Sequence, residues 1–225
     1  MLMLDQISKV YPNGKGIHDF SLTANKGETI AVVGPNGSGK TTLFKILAGI
    51  NRVDSGVCLF NETIISDDFL KSKIGYLPDE PFLFDQLNPL EFLNFVQSMK
   101  GVDCSVNINF LLEKLGLWAN RYDRIKTFSY GMKKKVVYIA TVMNHPDILI
   151  LDELTNGFDT KSLIVIKNQL NEFKNTGCII FISSHILEFI ANIADVFIFI
   201  YDGVILKTTR ERSMIEKIYT ELYMK

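Results

Sequence analysis

The chain has 225 residues, with 24 Lys plus Arg against 25 Asp plus Glu, a formal net charge of −1. That length fits one large domain, or one domain with a sizeable insert, and needs no disulfide or metal staple to fold. At 47% hydrophobic and 22% charged residues the chain is not disordered, and its balanced charge excludes a global basic field for nucleic acid. Cys58, Cys104 and Cys178 lie 46 and 74 residues apart. They show no CxxC or Cys/His spacing, so reduced thiols are expected rather than zinc ligands. Residues 1–5 lack a basic segment followed by a long apolar run, so no signal peptide is expected. The apolar run Val196–Tyr201 is far short of the roughly 20 residues a membrane span needs.

In chain order, residues 1–10 and 17–24 read as strands. Residues 28–33 end in the run Ile30, Ala31, Val32, Val33, a strand buried on both faces. Residues 41–50 follow as a helix with an apolar face at Leu43, Phe44, Ile46, Leu47 and Ile50. Residues 57–60 and 74–77 are further short strands. The middle is helical: 89–99 with Pro89 near its start, 108–117 stopped near Gly116, and 131–144. The last third alternates: strand 148–151, helix 161–174, strand 178–182, helix 186–193, strand 196–201. Asp202-Gly203 then turns into a strand over 204–207. Strands alternating with helices predict a parallel sheet with right-handed crossovers.

The stretch Gly34-Pro35-Asn36-Gly37-Ser38-Gly39-Lys40-Thr41 fits GxxxxGK[ST]. It follows a predicted strand and opens a predicted helix, the context this phosphate-binding loop requires. Its glycines let backbone N–H groups close around phosphate oxygens, and the helix adds its positive end. Lys40 is expected at the β and γ phosphates and the Thr41 hydroxyl on Mg²⁺. Downstream, Ile148 to Leu151 are aliphatic and Asp152 and Glu153 follow. An apolar strand that ends in acids reaches the carboxyl edge of an open sheet, where ligands bind. Asp152 is expected to hold Mg²⁺ and Glu153 to polarise the attacking water.

With these motifs in place the chain resembles an ATP-binding subunit of an ABC transporter, of the kind found with small exporters, over essentially its whole length. The resemblance implies an α/β P-loop NTPase core at 1–84 and 145–225. It adds an N-terminal antiparallel β region and a helical subdomain at about 85–144. Its cofactors are ATP and Mg²⁺, with residues 34–41 and Thr42 around the phosphates. Tyr11 sits where the family stacks an aromatic on adenine. Phe128-Ser129-Tyr130-Gly131-Met132 stands at the signature loop, with Ser129 and Gly131 matching and the flanks departing. In the family this loop contacts ATP on the opposite subunit, so a dimer is implied, with itself or with a paralogue. Asp159 is the acid of the loop after Glu153, and His185 matches the switch histidine at the γ-phosphate. Asp79 stands where the family has a glutamine, and could still serve Mg²⁺ through water.

The run Lys133 to Lys135 is read as a solvated helix face rather than a nucleic-acid contact. His18 and His145 receive no role. The segment Pro81-Phe82-Leu83-Phe84 falls where the family receives a helix of the membrane subunit, and an aromatic groove suits such docking. The expected function is therefore an ATP-hydrolysing motor on the inner face of the cell membrane, more on the side of export than import. Two other readings stand beside it: a soluble ABC-type ATPase acting on nucleic acid or ribosomes, and a regulatory module that binds ATP without cleaving it.

Overall fold

The structure is a computed structural model that describes residues 1–65, 67–101 and 103–224, with the side chains of 67, 68 and 71 left aside. Ser66 and Lys225, assigned above to the core, and Val102, assigned to the helical stretch, lie outside the described residues.

Strands β1 (Leu2–Val10) and β2 (Gly16–Ala24) pair antiparallel. Strand β3 (Thr29–Val33) runs through the glycine-rich turn into helix α1 (Lys40–Leu47). There follow β4 (Ser55–Phe60), β5 (Thr63–Ile64), α2 (Asp67–Lys73) and β6 (Ile74–Leu77). The middle of the chain folds as α3 (Pro89–Lys100), α4 (Ser105–Lys114) and α5 (Tyr130–Val142). The last third gives β7 (Ile148–Leu151), α6 (Thr160–Asn175), β8 (Ile179–Ile182), α7 (Leu187–Ala191), β9 (Val196–Tyr201), β10 (Val204–Thr209) and α8 (Ile215–Tyr223).

These strands form a four-stranded antiparallel sheet, β2-β1-β4-β5, and a six-stranded sheet, β10-β9-β3-β8-β7-β6. In the larger sheet every pair from β9 to β6 is parallel, and β10 adds antiparallel on the edge. Its central strands are apolar throughout because both faces are covered. One face, carrying Ile30, Val32, Ile148, Ile150 and Ile198, packs on α1 and on the inner residues Leu4, Ile7 and Phe20 of the smaller sheet. The other face, carrying Ala31, Val33, Leu149, Leu151 and Phe199, shares a continuous core with the helices of the middle and the C-terminal third. Helix α5 lies deepest, with every residue from Val136 to Val142 buried.

Several boundaries differ from the sequence pattern for identifiable reasons. Helix α4 starts earlier, where Asp103 accepts from the backbone N–H of Ser105, and stops short of Gly116, which has φ +70°. Helix α3 does start at Pro89 as expected, capped by a reciprocal bond pair between Asn88 and Glu91. Helices α2 and α8 and strand β5 were not anticipated. Among the described residues no helix is long and apolar enough to cross a membrane. All the cysteines are free thiols.

Candidate active site

Parallel strands direct their carboxyl ends to one edge, so the loops after β3, β6, β7 and β8 meet there. The turn after β3 is tight. A Cβ on Gly34 would lie 2.5 Å from both the Ile200 carbonyl oxygen and Ser38 Oγ, so only glycine fits. Gly39 takes φ +109° as it caps α1, a left-handed geometry that glycine adopts without strain. Lys40 is buried and folds back over the loop, its Nζ donating to the carbonyls of Gly34 (2.8 Å) and Pro35 (3.2 Å).

The acids sit opposite. The Thr41 hydroxyl donates to Asp152 Oδ2 at 2.8 Å, which joins the phosphate loop to the end of β7. Asp152 is fully buried, and its other oxygen accepts from Ser183 Oγ at 2.8 Å. The same Ser183 oxygen accepts from the Glu153 backbone N–H at 2.9 Å. Ser183 therefore fixes both acids from the end of β8. Glu153 has φ +47°, which costs a residue with a Cβ and aims its side chain back into the cleft. Its Oε1 lies 3.8 Å from Lys40 Nζ and 3.5 Å from His185 Nε2. Burial raises the Glu153 carboxyl above its ordinary value, against the pull of His185 and Lys40. Burial likewise lowers the Lys40 ammonium, against Glu153, Asp152 and Asp79.

Lys40, Thr41, Glu153 and His185 line a cleft of about 530 Å³ together with Tyr11, Asn36, Gly37, Gly39, Thr42 and Asp79, and Asp152 lies behind it, bonded to Thr41. The Tyr11 hydroxyl accepts from Asn51 at 2.8 Å, which holds the ring at the rim. Ser129, Gly131 and Asp159 lie outside this cleft. Ser129 caps α5, its Oγ accepting from Met132 N–H at 3.3 Å. Gly131 packs on the loop after Glu153, where a Cβ would come 2.4 Å from the Gly157 carbonyl oxygen. Asp159 caps α6 and accepts from Lys135 at 2.7 Å, and these bonds hold its carboxyl well below the usual range.

One expectation fails. The Lys133 to Lys135 run is not a solvated face. Lys133 and Lys135 pair with Asp85 and Asp159, and Lys134 is fully buried. Successive helical residues point about 100° apart. Three in a row therefore cannot all face water on a helix packed as deeply as α5. Tyr130, Lys134, Asn156 and Ser183 are site residues that sequence reasoning missed. Ser183 alone carried a signal, since it directly follows a buried strand two places before His185.

The cleft suits a triphosphate with a divalent cation. Ser38 Oγ and Glu153 Oε2 are buried without a hydrogen-bond partner among the described residues. A phosphate oxygen answers the first and a water or cation ligand the second. Thr41 and Asp152 already share one hydrogen bond, and both are oxygen donors of the kind Mg²⁺ takes. A glycine-rich loop, a buried lysine and an acidic strand end define a P-loop nucleotide triphosphatase.

The comparisons sharpen that class. A sequence profile described as ABC transporter matches residues 17–156. The lantibiotic transport ATP-binding protein SrtF of Streptococcus pyogenes is 36% identical over 206 residues, covering 92% of this chain and 89% of SrtF. The SkfA peptide export ATP-binding protein SkfE of Bacillus subtilis is 31% identical over 208 residues, covering 90% and 86%. Among solved structures, an ATP-binding subunit of an ABC transporter superposes with TM-score 0.88 at 24% identity, over 97% of this chain and 93% of that one. The ATP-binding cassette MJ0796, a dimer bound to ADP and Pi, gives TM-score 0.82 at 21% identity over 93% and 98%. The chain belongs to the ABC transporter family, as an ATP-binding subunit with the fold of its ATPases.

Proposed function

We propose that this chain is the motor of a membrane exporter, closing as a dimer on two Mg²⁺-bound ATP molecules and hydrolysing them. The observation that carries the reading is the meeting of Lys40, Thr41, Glu153 and His185 in one cleft, with Asp152 bonded to Thr41 behind it. In this reading Thr41 and Asp152 hold Mg²⁺, with Asp79 near enough to join through water. The cation offsets phosphate charge. Lys40 exchanges its carbonyl partners for phosphate oxygens. Glu153 takes the proton from the attacking water, and burial has already made its carboxylate more basic. His185, with Lys40, stabilises the γ-phosphate.

Ser129, Gly131 and Asp159 stand outside the cleft of their own chain, which fits a role at the nucleotide of a second subunit. The partner is a second copy or a paralogue. Phe82 is 76% exposed and meets Phe84 edge to face, and Phe84 in turn meets Phe95 edge to face. An exposed aromatic cluster on the helical side suits a helix of a membrane subunit, which supports a position against the cytoplasmic face of the membrane. Two relatives are named for lantibiotic transport and peptide export, which supports outward movement of a peptide cargo.

The test is steady-state Mg·ATP hydrolysis across protein concentration, beside Glu153→Gln. Turnover rising faster than linearly, and falling about 10²-fold or more in the variant, supports a dimeric motor with Glu153 as base. Nucleotide binding without turnover, even with membrane subunits present, supports a regulatory binder instead.

A further inference from the structure

Lys134 is a cation with no access to water, on the second turn of α5. Its three N–H donors all have destinations. Nζ donates to the Glu153 carbonyl oxygen at 3.0 Å and to the Asp79 carbonyl oxygen at 3.1 Å, and it lies 3.5 Å from Asp79 Oδ1. Two more side chains converge on Asp79. The Tyr130 hydroxyl, also from α5, donates to its carbonyl oxygen at 2.8 Å. Asn156, from the loop after Glu153, donates to Oδ1 at 3.0 Å. One ammonium thus ties the helix that Ser129 caps to the two loops that flank the hydrolytic cleft.

We propose that Lys134 is a positioning residue for ATP hydrolysis, acting through the peptide carbonyls of Glu153 and Asp79, with the Asp79 carboxylate as its counter-charge. The Glu153 backbone sits at φ +47°, a conformation that persists only where the surroundings hold it. Lys134 donates to the Glu153 carbonyl on one side of its Cα, and Ser183 accepts from the Glu153 N–H on the other. An ammonium in this place would be costly without a carboxylate beside it. Asp79, in place of a neutral side chain, supplies one. Lys134 and Asp79 therefore form one functional unit. A change to either alone strands a buried charge or a peptide carbonyl, and a second change adds little to the first.

The inference rests on the assignment of Glu153 as the base, so Glu153→Gln is measured alongside. The variants are Lys134→Met, Lys134→Arg, Asp79→Asn and the double Lys134→Met/Asp79→Asn. Readouts are kcat, the affinity for a fluorescent ATP analogue, and the thermal midpoint of the nucleotide-free chain. Lys134→Met should lower kcat by about tenfold to 10²-fold, the cost of a small misplacement at a reacting centre. Analogue affinity should change by less than about threefold, because the phosphate loop is untouched. Lys134→Arg, which keeps charge and donors, should restore part of the loss. The double variant should be no slower than the worse single one, the mark of groups that act together.

Losses that multiply in the double variant would overturn the pairing. A kcat that falls only as far as the folded fraction falls would reduce Lys134 to a structural residue. If Lys134→Met does not fold, Lys134→Gln carries the same comparison. If Glu153→Gln keeps its turnover, the assignment of the base fails. If it loses turnover while Lys134→Met keeps it, only the present inference fails.

Discussion

The phosphate cleft and the aromatic surface around Phe82 stand at the two ends of one short segment, residues 79–84, yet they are built on opposite principles. Behind the cleft the polar groups are buried and paired: Asp152 with Thr41 and Ser183, and Lys134 with two carbonyls. Ser38 Oγ and Glu153 Oε2 are left without partners among the described residues. At the other end apolar rings stand partly in water, packed edge to face on one another, with Phe84 resting on the buried Phe92. Each region is incomplete in its own currency. The cleft wants a small charged ligand, whereas the rings want an apolar partner large enough to cover them. Asp79 belongs to the first and Phe82 to the second, so only Glu80 and Pro81 separate the two regions along the chain.

A large effect on assembly should come from breaking one end alone. Phe82→Asp places a charge where an apolar partner must sit. It should weaken recovery with membrane subunits by at least about 30-fold, the scale of a buried aromatic anchor. The unfolding midpoint and the hydrolysis rate of the isolated chain should stay near native, because an exposed position carries little stability. Joint loss of stability and docking would show that the ring belongs to the core, and the contrast between the two regions would fall.

The other end should show a trade between stability and function. Burial raises the Glu153 carboxyl, so the folded chain holds a proton on it more tightly than the unfolded chain does. A raised acid makes folding weaker as pH climbs from the ordinary value of 4.5 through the folded-state value, and the penalty is complete above that. Glu153→Gln removes the ionised form. In the nucleotide-free chain at pH 7 it should raise the thermal midpoint by a few degrees while abolishing turnover. The gain should shrink as pH falls and vanish below the ordinary carboxylate range. A thermal scan of both proteins at several pH values checks this, and a constant difference at every pH would show that burial does not control the group.

The cleft was legible in the sequence wherever its chemistry is contiguous. Residues 34–41 and the pair Asp152-Glu153 carry their own strand context, and the structure brings them together with His185 and Asp79. What could not be read are residues whose meaning comes from a distant partner. Lys134 looks like one of three surface lysines until the depth of α5 is known. Ser183 looks like a strand cap until β7 and β8 are seen side by side. Helix α8 is a different case. Its apolar residues Ile215, Ile218, Tyr219, Leu222 and Tyr223 already follow the spacing of a helical face, so the signal was present and local.

That helix sets up the smallest expected effect. Tyr223 packs against Tyr201 and Tyr219, and its hydroxyl lies 3.0 Å from the Ile200 carbonyl oxygen and 3.3 Å from that of Val33. Those carbonyls close β9 and β3 directly under Gly34, where a Cβ would already touch the Ile200 oxygen. The end of the described chain thus braces the floor of the phosphate loop without reaching the cleft. Tyr223→Phe removes one hydrogen bond and no packing. It should cost about 0.5–1.5 kcal/mol of stability in denaturant titration. The KM for ATP should rise by no more than about threefold with kcat unchanged, because the loop keeps its own bonds from Lys40. A tenfold rise in KM would mean that the loop depends on α8 for its shape, and that the cleft is less self-supporting than its buried pairs suggest.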